Sequence, residues 1–425
     1  MPINKIKLYT DELKLGMYVS ELDRAWVDTP FMFQGFMIED VETLDQLREH
    51  CDFVFVDKEL SRPEIVPLLT AVIQGVAKRK RPARRPPVKA SGKGFSETSF
   101  RRALLRSYRI YREARLWVDV LLDDSRLGNS IDTDTARGLV AQLADQVIQN
   151  ADALVWLTHL KKRDEYTANH CLNVCILALT FGRCLGLDGD LLKRLGLGAL
   201  LHDIGKLRVP EAILNKPGRL TKEEFLIMMS HPQEGHALLA DDHSLAPDTL
   251  DVILHHHERL DGRGYPAGLA EEQISLITRV TSIVDVYDAV TSDRCYHDAI
   301  PPAEALEKLF QWAPGNYDVS LLEAFIKCIG IYPIGSLVRL ASGEMGMVVA
   351  TDEGRRLKPI VMLLRSPDGE PYPVRRFINL SSAVWEQTGS PMSIDEVLDP
   401  REYGIDVPAI LKEELRLSAS QAPRL

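Results

Sequence analysis

Eight of the eleven histidines fall between His170 and His257, and carboxylates lie among them. The set comprises His170, His202–Asp203, His231, the run His255–His256–His257, and Asp285 a little further on. Neutral imidazole nitrogens mixed with carboxylate oxygens suit Fe, Mn, Zn or Ni, whereas all-oxygen sets suit Mg or Ca. Each residue alone has an ordinary reading: His170 as a surface or core histidine, His231 before Pro232 as helix punctuation. The two aspartates resist that reading. Asp203 follows the apolar run Gly198–Leu201, and Asp285 lies between Val284 and Val286. A carboxylate in such surroundings is costly unless paired or metal-bound. Neighbouring residues on a helix diverge by about 100°, so three successive histidines should give two ligands and one bystander. Lys206 follows Ile204–Gly205, which ends the preceding helix and keeps the ammonium near Asp203. Asp288, one turn after Asp285, reads as a helix-stabilising or outer carboxylate. Taken together, the set points to a metal site.

Residues so far apart in sequence converge only if elements carry them. Helical periodicity predicts helices at Leu172–Leu185, Leu191–His202, Glu223–Leu239, Leu250–His257 and Leu276–Val290, with Thr221 and Glu224 forming a capping box. Nothing between 160 and 335 alternates with period two for long, so that domain is expected to be an all-α bundle projecting the ligands inward. Before it, Phe100–Leu122 and Thr133–Leu160 predict two helices, a connector over 98–160 that also offers a surface for a homodimer. Residues 1–75 read as a small α/β module, with strands at Lys5–Tyr9, Met17–Leu22 and Phe53–Val56 and a helix at Val41–Glu49. Residues 76–97 contain the run KRKRPARRPPVKASGKG and read as a basic linker. A nucleic-acid or membrane-surface patch is its alternative. Residues 336–425 predict a small antiparallel β-element, with strands at Ser336–Leu340, Gly346–Ala350, Pro359–Leu364 and Pro371–Ile378. The last fifteen or so residues are expected to fray.

Composition limits the partners. A net charge of −10 over 425 residues argues against coating DNA, which needs many cations to displace counterions. Six cysteines form no CxxC pair, and buried reduced thiols are expected. No secretory signal and no apolar run long enough to span a bilayer is found, so a cytoplasmic protein is expected.

The motifs Asp164-Glu-Tyr-Thr167 with His170, His202-Asp203-Ile-Gly-Lys206, His231-Pro232, His256-His257-Glu258…Asp261-Gly262-Arg-Gly264-Tyr265-Pro266 and Asp285-Val-Tyr-Asp288 resemble the HD-GYP family, a branch of the HD-domain metallophosphohydrolases. The resemblance covers roughly residues 150–335. More softly, the N-terminal part resembles the poorly characterised module that often precedes this domain. What the resemblance implies is an HD-type bundle that opens cyclic di-GMP to linear pGpG and onward to GMP. It implies metal ligation by His170, His202, Asp203, His231, His256, His257 and Asp285, with Asp203 bridging two ions, Fe or Mn first and Ni, Co or Zn as alternatives. It further implies Asp203 and Lys206 as catalytic residues, phosphate contacts from Lys206 and Arg294, and a Gly264-Tyr265-Pro266 loop. That loop borders the substrate cleft and faces diguanylate-cyclase-type partners.

Two departures stand out. Tyr166 occupies the position where some members carry a glutamate for a third metal, so two ions are expected. His297 stands where Lys or Arg is usual, which bears on phosphate binding. Two other readings stay open on sequence: a cyclic di-GMP receptor or adaptor with little catalysis, and an HD-type nucleotidase with one metal.

Overall fold

A computed structural model of the chain describes residues 5–22, 36–58, 60–67, 69, 95–126, 131–160, 166–293, 299–351, 357–382 and 392–421. It forms two compact units, 1–94 with 352–357 and 95–351 with 358–425. In the first, β1 (Lys5–Tyr9), β2 (Tyr18–Leu22), β3 (Phe36–Met37) and β4 (Phe53–Asp57) make an antiparallel sheet ordered β1-β4-β2-β3. Helix α1 (Val41–His50), capped by the Asp40 side chain on Thr43 N–H, buries Leu47 in the core with Leu8, Val19, Val54 and Val56. The alternation of β4, with Val54 and Val56 inward, is what period-two patterning requires of a sheet covered on one face.

The second unit is mainly helical. Helices α2 (Glu97–Arg126) and α3 (Thr133–Leu157) pack together, and α3 kinks at Asn150, whose side chain caps the second half by accepting from Ala153 N–H. Then follow α4 (Tyr166–Cys184), α5 (Gly189–Leu201), a 3₁₀ turn at Ile204–Arg208, α6 (Glu211–Leu214), α7 (Lys222–Met228), α8 (His231–Leu239) and α9 (Pro247–His255). Helices α10 (Leu276–Val290), α11 (Pro302–Asn316) and α12 (Val319–Ile329) complete the bundle. Its centre is apolar: Phe325 of α12 packs edge-on against Phe181 of α4 and Tyr287 of α10, each with ring centroids 5.2 Å apart. The C-terminal sheet is antiparallel and comprises β5 (Leu337–Leu340), β6 (Met345–Ala350), β7 (Ile360–Arg365), β8 (Phe377–Asn379) and β9 (Ile394–Leu398), in the order β8-β7-β6-β5-β9. The expected classes therefore hold: an α/β N-terminal module, an all-α bundle and an antiparallel C-terminal element.

Four expectations need correction. The single helix expected over Glu223–Leu239 is two, because Pro232 suits the first turn of a helix and kinks or breaks the interior of one. The capping box on Thr221 is present. The strand expected over Pro371–Ile378 is confined to Phe377–Asn379. The tail does not fray from its last fifteen residues: α13 (Val407–Gln421) buries Leu411 and Glu414, and Glu414 meets Arg101 of α2 at 3.2 Å and Arg375 at 3.4 Å. Finally, Cys184 and Cys328 are joined by a disulfide across 144 residues, whereas Cys51, Cys171 and Cys175 are free and buried as expected. Among the described residues no helix is long and apolar enough to cross a membrane.

Candidate metal centre

Helix ends build the site. His202 follows the last residue of α5, His231 opens α8 just after α7 stops, and His256 caps α9. At each of these ends the histidine Nδ1 faces the carbonyl three residues earlier. His202 lies 2.8 Å from Ala199 O, His231 2.7 Å from Met228 O, and His256 3.0 Å from Ile253 O. One free helix-end carbonyl thus accepts from each ring, which places the proton on Nδ1 and leaves Nε2 as the lone pair facing the cluster.

His170, in the first turns of α4, is held differently. Its Nδ1 is 2.8 Å from Asp288 Oδ2 on α10, and its Nε2 is 3.0 Å from Asp285 Oδ1 on the same helix. Asn173 Nδ2 donates to the other Asp288 oxygen at 3.1 Å, and Ser292 Oγ adds a further contact. Asp288 is therefore the outer carboxylate behind His170, as one of its two sequence readings had it.

Asp203 lies at the centre, buried, and its two oxygens face opposite ways. Oδ2 is 3.4 Å from His202 Nε2 and 3.6 Å from His170 Nε2. Oδ1 is 3.3 Å from His231 Nε2 and 3.9 Å from His256 Nε2. The donor atoms accordingly fall into two groups: His170, His202 and Asp285 in one, Asp203, His231, His256 and His257 in the other. Within each group the donors lie within 4.8 Å of one another. His202 Nε2 and Asp203 Oδ1 are buried without a hydrogen-bond partner. Such atoms are costly to bury alone, and a cation shared by the surrounding donors satisfies them. This donor set fits divalent transition metals.

Electrostatics puts most of these donors in the form that can hold a cation. Burial pushes His231 down to about 4. It also holds His256 and His257 well below the ordinary histidine range, reinforced by neighbouring imidazoles. Burial works against the ionised forms of Asp203 and Asp285. It is outweighed by Lys206 and His202 at Asp203 and by His170 at Asp285, and both carboxyls sit well below the usual range. His170 is the exception. Burial opposes its protonation, but hydrogen bonds to Asp285 and Asp288 prevail and raise it. Lys206 Nζ, half-buried, donates to Asp203 Oδ2 at 2.6 Å and so lies at the cluster's edge.

Two close approaches make this geometry possible. A Cβ at Gly205 would lie 1.9 Å from His231 O, so only glycine lets the 3₁₀ turn after Asp203 press onto α8. A Cβ at Gly264 would lie 2.4 Å from Glu258 Cα, so only glycine lets the following loop fold back onto the helix end. In that loop Tyr265 N–H donates to His257 O at 3.3 Å and the Tyr265 ring packs on His257, centroids 4.7 Å apart; the Tyr265–Pro266 peptide is cis.

The structure thus brings together His170, His202, Asp203, Lys206, His231, His256, His257 and Asp285, with Gly264, Tyr265 and Pro266 at their border. His255 is the bystander of the triple, its ring directed at Asp251 and Glu258. Arg294 and His297 lie outside the described residues, as do Asp164 and the Tyr166 side chain. Sequence reasoning gave no role to Ser282, whose hydroxyl donates to His256 O, or to Asn173. Both are ordinary polar residues of apolar helices, and only their burial marks them.

A family model described as HD domain matches residues 149–321, and one described as a domain of unknown function (DUF3391) matches residues 5–136. A cyclic di-GMP phosphodiesterase of Pseudomonas aeruginosa is 42% identical over 350 residues, 81% of this chain and 81% of that protein. A cyclic di-GMP phosphodiesterase of Thermotoga maritima is 36% identical over 166 residues, 39% of this chain and 45% of the relative. A 3′3′-cGAMP-specific phosphodiesterase of Vibrio cholerae is 36% identical over 174 residues, 40% of this chain and 37% of the relative.

Proposed function

The chain belongs to the HD-GYP family of HD-domain phosphodiesterases, and we propose that it hydrolyses cyclic di-GMP to linear pGpG, and onward to GMP, at a centre of two divalent transition-metal ions. The observation that carries this reading is Asp203, whose two oxygens face two separate donor groups. One group, His170, His202 and Asp285, would hold one ion. His231, His256 and His257 would hold the other, with Asp203 shared. Iron or manganese suits the mixed nitrogen and oxygen donors, with nickel, cobalt or zinc as alternatives.

A phosphodiester is slow to hydrolyse because its negative charge repels an incoming nucleophile. When bound, paired ions supply an activated water and neutralise that charge. The chain's own residues do the rest. The Nδ1 contacts of His202, His231 and His256 orient three rings before substrate arrives, which reduces reorganisation during reaction. Lys206 is a cation at the edge of the cluster, paired with Asp203 Oδ2 at 2.6 Å and placed to donate to a phosphoryl oxygen or to the departing sugar oxygen. Arg294 offers a planar fork for phosphate. Tyr265, its phenol kept protonated by burial, packs over His257 at the border of the donor groups, where the family's loop borders the substrate. The same loop is the surface we assign to a diguanylate-cyclase-type partner.

The complete donor set favours turnover over a receptor role, and the second donor group favours a diesterase over a one-metal nucleotidase. The test incubates protein reconstituted with Fe(II) or Mn(II) under reducing conditions with cyclic di-GMP and separately with 3′3′-cGAMP, resolving products by chromatography. Appearance of pGpG or GMP from cyclic di-GMP supports the reading. Binding without product would make the chain a receptor, and turnover of 3′3′-cGAMP alone would reassign the substrate.

A further inference from the structure

Glu258 follows the two clustered histidines directly, is buried, and has no part in the metal donor set. Its carboxylate faces away from that set. Oε1 accepts from Ala267 N–H at 2.7 Å and from Gly268 N–H at 3.1 Å, and Oε2 accepts from Leu269 N–H at 3.0 Å. Three successive backbone donors on one carboxylate make a concave anion site, here filled by the protein's own side chain. Apart from these bonds the loop is held at its base, where Asp261 bridges Ala270 and Glu271 N–H donates to Leu260 O, and near its tip by the single Tyr265 N–H bond to His257 O at 3.3 Å. Two left-handed glycines, Gly262 and Gly268, give it no stiffness of their own. Its tip nevertheless carries Tyr265 onto His257.

We propose that Glu258 is a positioning residue for the cyclic dinucleotide. By clamping residues 267–269 it fixes Tyr265 and the loop that walls the cleft beside the metal donors. Residues 256–258 then work as one piece, with His256 and His257 turned to the cluster and Glu258 turned to the loop. The role rests on the cyclic-dinucleotide reading above, because only a large substrate needs the wall. A small diester needs the metal centre alone.

The test compares the full-length, Mn(II)-loaded protein with Glu258→Gln and Glu258→Asp. Gln keeps the size but puts an amide donor where N–H groups need an acceptor; Asp keeps the charge on a shorter arm. Bonds to a charged acceptor contribute enough that Gln should raise KM for cyclic di-GMP about tenfold or more, with Asp intermediate. Metal content and turnover of bis(p-nitrophenyl) phosphate should be kept. Hydrogen exchange at the amides of Ala267, Gly268 and Leu269 should quicken in Gln whatever the substrate proves to be. Parallel loss of metal and of both activities would show a structural role and overturn the assignment, as would unchanged KM with unchanged exchange. If the unmodified protein cleaves the small diester but not cyclic di-GMP, the substrate reading fails. The exchange result then still decides whether Glu258 clamps the loop.

Discussion

His170 owes its orientation to a residue outside the two donor groups. Asp288 accepts from its Nδ1, so the ring is oriented and its Nε2 made more basic. Asp288→Asn keeps the size and removes the charge. Metal affinity or turnover should fall by about 10- to 100-fold with the fold unchanged, as read by metal titration beside circular dichroism; an unaltered affinity would deny Asp288 that role. The imidazoles also differ in how protons compete with metal. His170 is raised by its carboxylates, whereas burial holds His231 at about 4 and His256 and His257 well below the ordinary value. A raised value means protonation begins at higher pH, so in metal-free protein His170 should take up its proton before His231, His256 and His257 as the pH falls. Titration of the imidazoles of metal-free protein by NMR should show that order, and a His170 that protonates after His231 would contradict it. At this scale the convergence was largely legible in the sequence, because the histidines that the fold brings together lie beside aspartate and glycine in short local motifs. Less legible were Asp288, left with two readings, and Glu258, quoted in a motif without a role; both act through partners distant in sequence.

At the scale of elements, the site depends on helix ends meeting. The turn after Asp203 presses onto α8 at Gly205, where a methyl group would enter the His231 carbonyl. Backbone cannot yield as a flexible side chain does, so Gly205→Ala should cost about 3 kcal/mol or more and loosen the His231 side of the site. Gly138, inside α3 with open space around its Cβ position, is the control: Gly138→Ala should stabilise by about 0.5–1 kcal/mol. Thermal unfolding and metal content of the two variants read the difference, and equal effects would refute the close-approach argument. Helix periodicity placed most of the bundle, since amphipathic helices carry their own signal. It ran through the Met229–Ser230 break, although Pro232 was a visible warning. It also missed α13, whose Glu414 is buried between Arg101 and Arg375, an arrangement no local pattern encodes.

Across the whole molecule, the Cys184–Cys328 disulfide joins the end of α4 to α12, which packs on α4 and α10. Closing so long a loop restricts the unfolded chain by about 5 kcal/mol at most. Cys184→Ser should therefore lower the melting temperature while leaving turnover intact, because neither sulfur belongs to the donor set. Cys171 and Cys175 are buried and their thiols are pushed up. They should escape alkylation in the native protein and react once it is unfolded; native labelling at either would contradict their burial.

The most direct test of the two-metal account is a titration of metal-free protein with Mn(II), following bound ions and cyclic di-GMP turnover together. Activity should appear with the second equivalent, and Asp203→Ala should neither bind the pair nor turn over. Full activity at one ion per chain, or in Asp203→Ala, would contradict the account.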